Sequence, residues 1–428
     1  MRKLLLALLL VPTLASAGGY SIANYVPRDM GMGDSLVADQ TGAGAVYRNP
    51  AALARLSGLN LTLAGALIGN GTTWNSTTTA GPSPVSTDLK LVPPVAFFVS
   101  WSGKIAGHGY GVGVGVNLPG GGNVYWPSGW PGAAAIETVD RKLWGLYAML
   151  AVEIIPEIRL GGGFIYYYTT EKLTTSIAVP SASGPTGALA TIADSGGQPS
   201  FNVALDIQPV MTFPLRIGVN YSQQAYQKLT GQLNLNVPPP LAPAYPNQNT
   251  THVLPYPTVL GVGVAWRLIP DLILTLQYTW EGYAAYVTDT FVGQSLNPGT
   301  GQPLSVSVQR RYKNASLYRI GAGYQITPVV ELRAGLFYDD SGVNTAYFNP
   351  SLPDAKKIVA TVGAGWEVMK NLSIEAAFLY SWFLTLDSVP APSTLAIDNS
   401  SSFAGQYKSW AWIASVGVNW KWDPQASN

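Results

Sequence analysis

The sequence of 428 residues contains no cysteine. This absence excludes disulfide bonds, thiolate nucleophiles and cysteine metal ligands. Charged residues are also scarce, because they make up 11% of the chain where soluble domains typically have about 25%. The formal net charge is +1, so the chain offers neither a basic surface for nucleic acid nor a strongly acidic one.

Histidine is nearly absent as well, since His108 and His252 are the only two. Both lie near predicted strand ends, and neither has a serine or carboxylate partner at a spacing that defines a catalytic site. The chain has no Gly-x-Ser-x-Gly motif, and "GVGVGV" is a strand pattern because no helix or acidic ribose partner follows it. The sequence therefore predicts no enzyme, no cofactor and no metal site.

Long apolar runs are confined to the first residues of the chain. Arg2 and Lys3 precede an apolar run at residues 4–11, and small residues at 15–17 form a cleavage site. This pattern predicts a secretory signal peptide over residues 1–17, with the mature chain beginning at Gly18. A membrane anchor is the alternative, but the run is far shorter than the roughly 20 residues that a spanning helix needs.

The rest of the chain is rich in aromatic residues and alternates with a period of two. In "NLSIEAAFLYSWFLTL" the residues Ile374 and Phe378 share one face, whereas Glu375 and Ser381 share the other. In "KSWAWIASVGVNWKW" tryptophans lie at both ends of one face, as in the aromatic girdles of membrane barrels. Because lipid requires every backbone group to be paired, an exported membrane protein without helical spans must be a closed β-barrel.

Counting such segments predicts an all-β fold, a fourteen-stranded antiparallel transmembrane β-barrel. The predicted strands begin near Gly58, Leu89, Gly107, Arg141, Glu157, Ser200, Phe213, Thr251, Asp271, Ser307, Val329, Lys356, Leu372 and Gly405. Six short and seven long connections alternate, which is typical of outer-membrane barrels and predicts that both termini are periplasmic. A soluble β-sandwich is the alternative, but strands of about 10 to 16 residues are long for that fold.

The predicted domains are the signal peptide (1–17), an N-terminal hatch or plug (18–57), the barrel (58–423) and a C-terminal tail (424–428). The long connections are predicted at 71–88, 118–140, 172–199, 232–249, 290–306, 341–355 and 388–404. The hatch segment lacks the alternation of a spanning strand, and its many apolar residues indicate that it packs against something.

The inward phase of the strands carries charged residues that can neutralise one another, and it also carries large apolar residues. The predicted apolar lumen residues are Tyr147, Met149, Ile165, Tyr167, Phe337, Leu379, Phe383 and Ile413. A general diffusion porin has a polar, water-filled lumen. A partly apolar lumen favours a pocket for hydrophobic ligands instead.

The segment "AGGYSIANY…GMGDSLVADQTGAGAVYRNPAAL" resembles the N-terminal hatch of the FadL/TodX (OmpP1) family of outer-membrane transporters for long-chain fatty acids and other hydrophobic compounds. The family's Asn-Pro-Ala signature stands here as Asn49, Pro50 and Ala51. A second block, "YKNASLYRIGAGYQITPVVELRAGLFYDDSGV", is similar to the late strands of the family. The resemblance implies a fourteen-stranded barrel with the hatch inside its lumen.

The resemblance also implies a passive mechanism. Ligand is captured at the outer loops, moves to an apolar lumen pocket, and leaves sideways when the hatch changes and the third strand opens. The candidate residues for this lateral opening are Gly113, Gly115, Pro119, Gly120, Gly121 and Gly122. An ordinary outer loop beginning at Leu118 is the alternative for this stretch.

A fatty acid requires a cation for its carboxylate in an otherwise apolar pocket. The candidates are Arg310, Arg311 and Lys313, with Lys172 as a fourth, and the family also has basic residues near its ligand. Binding of lipopolysaccharide or simple solvation are alternatives for these residues, and an uncharged hydrocarbon would need no cation. The predicted protein is a monomer in contact with outer-membrane lipid and lipopolysaccharide. A general porin and a purely structural barrel are the alternative functions.

Overall fold

The computed structural model describes residues 20–77, 82–179, 184, 186–243, 245–296, 303–388 and 403–423. The predicted signal peptide and the predicted C-terminal tail lie outside the described residues, as do parts of the predicted long connections. Most of the described chain is β-strand, because the period-two alternation runs through nearly all of it.

The described residues form twenty strands in one antiparallel sheet. In chain order the strands are β1 (Gly58–Ser76), β2 (Val85–Ser86), β3 (Val95–Ile105), β4 (His108–Tyr125), β5 (Thr138–Ile155), β6 (Ile158–Val179), β7 (Thr186–Ile207), β8 (Leu215–Ser222), β9 (Ala225–Asn236), β10 (Gln248–Tyr256), β11 (Val259–Ile269), β12 (Leu272–Glu281), β13 (Thr288–Leu296), β14 (Pro303–Gln309), β15 (Ala315–Thr327), β16 (Val330–Asp339), β17 (Lys357–Met369), β18 (Leu372–Phe383), β19 (Leu386–Ser388) and β20 (Gly405–Trp422).

Fourteen of these described strands form the wall of a closed barrel. Around the wall they follow the order β1, β3, β4, β5, β6, β7, β8, β11, β12, β15, β16, β17, β18 and β20, and all neighbours are antiparallel. The last strand, β20, pairs with β1 from Leu59↔Trp422 to Ser76↔Gly405 and so closes the ring. The predicted fourteen-stranded antiparallel barrel is confirmed.

The two ends of the barrel differ in the length of their connections. At one end, which we call the short-turn end, two residues join β5 to β6 (156–157) and another two join β11 to β12 (270–271). We call the opposite end, where the long connections lie, the loop end. The short connections lie where the sequence predicts them.

Four further strands extend the wall at the loop end. β9 pairs with β7 and β10, β10 pairs with β13, and β13 pairs with β14. We call these four strands the loop-end extension. The prediction that residues 172–199 are a long connection is wrong, because β6 and β7 pair as far as Val179↔Thr186. The connection predicted at 232–249 is shorter than expected, because β9 runs to Asn236 and β10 begins at Gln248. These strands are rich in Thr, Ser, Gly and Asn, so they lack the apolar alternation that identifies a lipid-facing strand.

Side chains alternate between the two faces of the wall. In β18, Glu375 and Leu379 are buried in the lumen, whereas Ile374 and Phe378 are exposed. Large apolar residues dominate the exposed face elsewhere, including Leu63, Leu146, Phe164, Leu276, Ile320, Leu336, Val362 and Val416. An outward surface of this composition suits lipid contact.

Residues 20–57, which we call the N-terminal segment, fill the inside of the barrel. The segment contains α1 (Pro27–Gly31), α2 (Ala45–Arg48) and a 3-10 helix (Pro50–Arg55), and nearly all of it is buried. In the described part of the chain, these and the other helices are all too short to cross a membrane.

Hydrogen bonds tie the N-terminal segment to wall strands on several sides of the lumen. The Val37 amide donates to the Oε1 atom of Gln277 on β12 (3.0 Å). The Thr361 hydroxyl on β17 donates to the Gly31 carbonyl (3.1 Å), and the Ser415 hydroxyl on β20 donates to the Tyr25 carbonyl. The main hydrophobic core therefore lies between this segment and the inner face of the wall.

Candidate functional site

The Asn-Pro-Ala signature forms a turn and also anchors the N-terminal segment to the wall. The Oδ1 atom of Asn49 accepts a hydrogen bond from the Ala51 amide (3.1 Å), which caps the 3-10 helix that begins at Pro50. The Nδ2 group of Asn49 donates to the carbonyls of Val37 (2.7 Å) and of Leu205 on β7 (3.0 Å). Asn49 is completely buried and out of reach of water, so these protein groups must satisfy the hydrogen-bonding capacity of its side chain.

Glycines on the wall allow the segment to approach closely. A Cβ atom at Gly161 of β6 would overlap the Ala51 backbone, and one at Gly111 of β4 would lie 2.6 Å from the Leu53 Cβ. Only a residue without a side chain fits such close approaches of backbone to backbone. The signature and the glycines facing it therefore form one contact surface.

Asp39 carries a concentration of charge inside the lumen. Its carboxylate lies 2.8 Å from Arg28 in the same segment and 3.0 Å from Arg216 on β8. Arg55 lies close by and pairs with Asp206 on β7 at 3.0 Å. Burial alone would raise the pKa of the Asp39 carboxyl, but the three surrounding arginines lower it to about 2. Asp39 therefore stays ionised at neutral pH and links the segment to the wall.

The seam between β3 and β4 is closed over only part of its length. The two strands pair from Ile105↔His108 at the short-turn end to Phe97↔Val116. Beyond Val116, β4 continues to Tyr125 and pairs there with β5. The chain just before β3 turns away from β4 and pairs with β1 instead. The loop-end half of β4 thus lacks β3 as a neighbour in the described structure.

The N-terminal segment occupies the place beside β4 that β3 leaves. The Ile22 amide donates to the Pro119 carbonyl (3.0 Å), and the Gly121 amide donates to the Tyr20 carbonyl (2.7 Å). The two chains run antiparallel here, with a bridge centred on Gly120. The beginning of the segment therefore acts as a short substitute strand over the gap.

The predicted break at residues 119–122 is a bulge within a continuous strand. β4 shifts its register against β5 between Asn117 and Gly120 and then continues to Tyr125. The alternative of an ordinary loop beginning at Leu118 is therefore wrong. The bulge arises because Pro119 has no amide hydrogen to donate to the ladder.

Gly113 and Gly115 lie in the regularly paired half of β4, opposite Ser100 and Phe98. A Cβ atom at Gly113 would overlap the Val46 side chain of the N-terminal segment, and one at Gly115 would overlap the Phe98 ring. These two glycines make room for packing inside the lumen and do not lie at the gap. Of the residues proposed for a lateral opening, Pro119, Gly120, Gly121 and Gly122 are the ones at the gap.

A cavity of about 110 Å³ lies directly inside the gap. Its lining includes Ile22, Leu118, Gly121, Gly122, Phe383 and Ile413. Among the described residues, Arg141 and Asp354 are the charged members of the lining. Arg141 pairs with Glu171, and Asp354 accepts a hydrogen bond from the Lys357 ammonium at 2.6 Å. Both charges are therefore compensated.

The predicted apolar lumen residues all point inward, but most of them pack against the N-terminal segment. Tyr147, Met149, Ile165, Tyr167, Phe337, Leu379 and Ile413 are buried, and Phe383 is partly buried. The Tyr147 ring contacts the Tyr47 ring of the segment, with centroids 5.5 Å apart. Phe383 and Ile413 line the cavity at the gap. The segment thus fills much of the space that the sequence leaves for a ligand.

The predicted basic residues are not brought together at the cavity. Arg310 is buried and donates from Nε to the Asp289 carboxylate (2.9 Å), whereas Arg311, Lys313 and Lys172 are exposed. Arg141, which does line the cavity, is the basic residue that sequence reasoning missed. The alternation of β5 could have identified it, because Arg141 lies an even number of residues before Tyr147 and Met149 and therefore shares their inward face.

A closed antiparallel barrel with an apolar outer face and a lumen filled by its own N-terminal segment defines a plugged transmembrane β-barrel. The model of the outer membrane protein transport protein family (OMPP1/FadL/TodX) matches residues 8–422. The chain belongs to this family, whose members are described as transport proteins and not as enzymes.

Individual relatives agree in fold and are distant in sequence. A Pseudomonas aeruginosa FadL homologue of known structure is 18% identical, with a TM-score of 0.78 over 94% of this chain and 99% of that one. The Pseudomonas putida toluene transporter TodX is 13% identical, with a TM-score of 0.70 over 96% and 99% of the two chains. The 47 kDa outer membrane protein of Pasteurella multocida is 23% identical over 39% of each chain. This match spans well under half the length of that curated relative.

Proposed function

We propose that this protein is a passive outer-membrane channel for long-chain fatty acids or related hydrophobic molecules. Ligand is captured at the loop end, enters the cavity beside β4, and leaves sideways into the membrane through the β3–β4 gap when the N-terminal segment moves. In this proposal the segment is the hatch, the short-turn end and both termini are periplasmic, and the loop end faces outward.

The observation that carries the proposal is the substitute strand over the gap. At residues 119–121, β4 is bonded to residues 20–22 on the side where it lacks β3. Closer to its end, the Asn70 side chain of β1 donates to the Asn123 carbonyl (2.9 Å) and the Asp88 amide donates to the Tyr125 carbonyl (2.8 Å). Moving residues 20–22 would uncover a hole bounded by these contacts without breaking any bond between wall strands. A lateral route of this kind suits an apolar molecule, which gains free energy by passing directly into lipid.

The charges at the cavity bear on the choice of ligand. An unpaired buried carboxylate is very costly, and the Arg141 guanidinium is already paired with Glu171. A cavity with compensated charges suits an uncharged hydrocarbon at least as well as a fatty acid. The exposed Arg311, Lys313 and Lys172 are proposed contacts for a ligand carboxylate during capture, before the ligand reaches the cavity.

A disulfide lock tests whether the segment must move. The hydroxyls of Ser35 in the segment and Thr275 on β12 lie 2.5 Å apart, so Ser35→Cys with Thr275→Cys places two thiols within bonding reach. The chain has no cysteine of its own to interfere. We expect the oxidised variant to lose uptake of both labelled oleate and labelled toluene, and reduction with dithiothreitol to restore it.

The matched control is a disulfide wholly within the wall. Thr174 on β6 and Thr191 on β7 lie opposite each other, with hydroxyls 3.4 Å apart, and neither lines the cavity at the gap. Thr174→Cys with Thr191→Cys should transport equally well oxidised and reduced. Wild-type uptake by the oxidised Ser35/Thr275 lock would contradict movement of the segment as a whole and would confine the required movement to residues 20–22. Uptake of only one of the two labels by the unlocked protein assigns the ligand class.

Conductance in a planar bilayer distinguishes the proposed channel from the alternative function, a general diffusion porin. The N-terminal segment packs buried side chains against wall strands on several sides of the lumen and so obstructs a continuous water path. A plugged channel is expected to show almost no steady ion current, whereas a porin shows a large one. A large steady current through the wild-type protein would favour the porin.

A further inference from the structure

A group of ionisable side chains is buried inside the barrel toward the loop end and takes no part in the route described above, apart from Arg141. The residues come from strands that are distant in sequence but converge on one point of the lumen. We call them the polar cluster: Arg141, Glu171, Asp194, His252, Asp289 and Arg310.

The two arginines of the polar cluster each pair with a carboxylate, although the Nη1 atom of Arg310 has no hydrogen-bond partner among the described residues. Arg141 binds one oxygen of Glu171, and Arg310 binds Asp289 through Nε at 2.9 Å. Asp289 also bonds the Nε2 atom of His252 at 3.0 Å. Glu171, Asp194 and His252 form one face of the cluster, and four of their polar atoms take no part in these contacts.

The atoms on that face lack hydrogen-bond partners among the described residues. They are the Nδ1 atom of His252, the Oε1 atom of Glu171 and both carboxylate oxygens of Asp194. The side chains of all three residues are completely buried. Buried polar atoms are normally hydrogen-bonded, and unpaired ones indicate an occupant that satisfies them.

The spacing of these atoms indicates a cation between them and not direct contact. The His252 Nδ1 atom lies 3.8 Å from the Glu171 carboxylate and 3.9 Å from the Asp194 carboxylate. A protonated imidazole that paired with a carboxylate would lie about 2.7–2.9 Å from it. Ligand atoms at about 2.0–2.2 Å from a tetrahedral metal are roughly 3.3–3.6 Å apart. The two distances from His252 are longer than this by a few tenths of an ångström, and the Glu171 and Asp194 oxygens lie within 4.8 Å of each other, so small side-chain movements would bring the three atoms onto one ion.

We propose that Glu171, Asp194 and His252 bind a divalent transition-metal ion, with Zn²⁺ as the ion that best suits one imidazole and two carboxylates. The His252 Nδ1 atom and one oxygen of each carboxylate are the ligands, and all three lie within 4.8 Å of one another. Asp289 positions the imidazole by accepting the Nε2 hydrogen, as carboxylates do behind metal-bound histidines.

Charge and position both favour this ion. With a neutral His252, the polar cluster holds three carboxylates and two guanidinium groups, so it has an uncompensated negative charge that a divalent cation would offset. The three ligands come from β6, β7 and β10. The ion would therefore join two wall strands to the loop-end extension and hold the loop end of the barrel together.

The test measures metal binding by the full-length mature protein in detergent, without a polyhistidine tag. After dialysis against EDTA, isothermal titration with ZnCl₂ should show near-stoichiometric binding, and added Zn²⁺ should raise the thermal unfolding midpoint. His252→Ala and Asp194→Asn should each abolish the binding. X-ray absorption at the zinc edge should report nitrogen and oxygen ligands only.

The chain supplies a matched control in its other histidine. His108 is exposed at the short-turn end of β4, so His108→Ala should bind Zn²⁺ as the wild type does. Heat-modifiable migration in SDS gels reports whether each variant still forms the barrel. If the wild-type protein takes up no Zn²⁺, or if folded His252→Ala and Asp194→Asn bind it unchanged, the proposal is overturned. If both variants fail to fold, the zinc-edge spectrum of His108→Ala decides, because His252 is then the sole histidine of the chain. One imidazole ligand in that spectrum supports the proposal, and its absence overturns it.

Discussion

Two seams of the same barrel are built in different ways. The β1–β20 seam joins the first and last wall strands through eighteen consecutive residue pairs, from the short-turn end to the loop end. The β3–β4 seam has nine pairs and then ends. The N-terminal segment covers β4 at residues 119–121, and Asn70 and Asp88 bond the carbonyls of Asn123 and Tyr125 beyond it. One seam is closed by the wall itself and the other in part by the N-terminal segment, so the proposed function places the opening of the barrel at the second seam.

A glycine-to-leucine substitution should abolish transport at the β3–β4 seam and leave it unchanged at the β1–β20 seam. A Cβ atom at Gly122 meets only the Leu352 Cδ1 atom at 3.8 Å, so Gly122→Leu fits and projects into the cavity at the gap. We expect uptake of labelled hydrophobic ligand to fall to the level of cells without the protein. Gly65→Leu on β1, where nothing lies within 4 Å of the added Cβ, should leave uptake unchanged. Equal uptake by the two variants would contradict the difference between the seams.

Weakening the packing of the N-terminal segment should affect only the seam that it covers. Leu53 is completely buried against β4, and Leu53→Ala should reduce the stability of the docked segment by about 2–5 kcal/mol. Protease cleavage within residues 20–57 measures the loss. Leu63→Ala removes the same atoms from a lipid-facing position that is 49% exposed and should not increase cleavage. Equal cleavage of the two variants would show that the segment does not depend on this packing.

Acid should release the segment before it affects the β1–β20 seam. The folded pKa of Asp39 is about 2 and lies below the value of about 3.9 for an unfolded chain. Ionised Asp39 therefore contributes stability at and above pH 4 that is lost as the pH falls toward 2. The expected loss is about 2 kcal/mol, measured as protease cleavage of the segment against pH. Burial raises the pKa of Asp29, which opposes this loss, so the difference between wild type and Asp39→Asn isolates Asp39. A pH profile that is the same in Asp39→Asn would refute the assignment.

The smallest expected effect concerns a single hydrogen bond over the gap. Ile22→Pro removes the amide that donates to the Pro119 carbonyl, at a cost of about 0.5–1.5 kcal/mol. Hydrogen exchange of the Gly121 amide, which is bonded to the Tyr20 carbonyl, should become faster by up to about tenfold. Exchange in β20 should not change. Ile22→Val keeps the amide and is the control, so faster exchange in both variants would trace the effect to the side chain.

The sequence was sufficient for the parts of the fold that repeat and insufficient for those that depend on tertiary contacts. Alternation of apolar and polar residues predicted the fourteen wall strands, because a lipid-facing wall imposes it on every strand. The strands of the loop-end extension are rich in polar residues, so they carried no such pattern. The exposed position of Lys172 could have been predicted, since it lies out of phase with inward Tyr167 on β6.

The candidate site shows the same limit. The Asn-Pro-Ala turn was recognisable because the bond that caps it, from the Ala51 amide to Asn49, is local. The bond from Asn49 to Leu205 spans 156 residues and has no signal in the sequence. The grouping of Glu171, Asp194 and His252 is equally non-local, because the three residues lie on β6, β7 and β10. Only closure of the barrel brings such residues together.

Pairing of the first wall strand with the last also constrains how the protein assembles. β1 ends at Ser76 and β20 begins at Gly405, so the ring cannot close until almost the whole chain is available. Bringing such distant strands together is slow, because the entropy of closing a long loop must be overcome before any pairing energy is gained. The N-terminal segment precedes β1 and has no lumen to pack in until that moment. Its folding is therefore the last step of assembly, although it is the first described part of the chain to be synthesised.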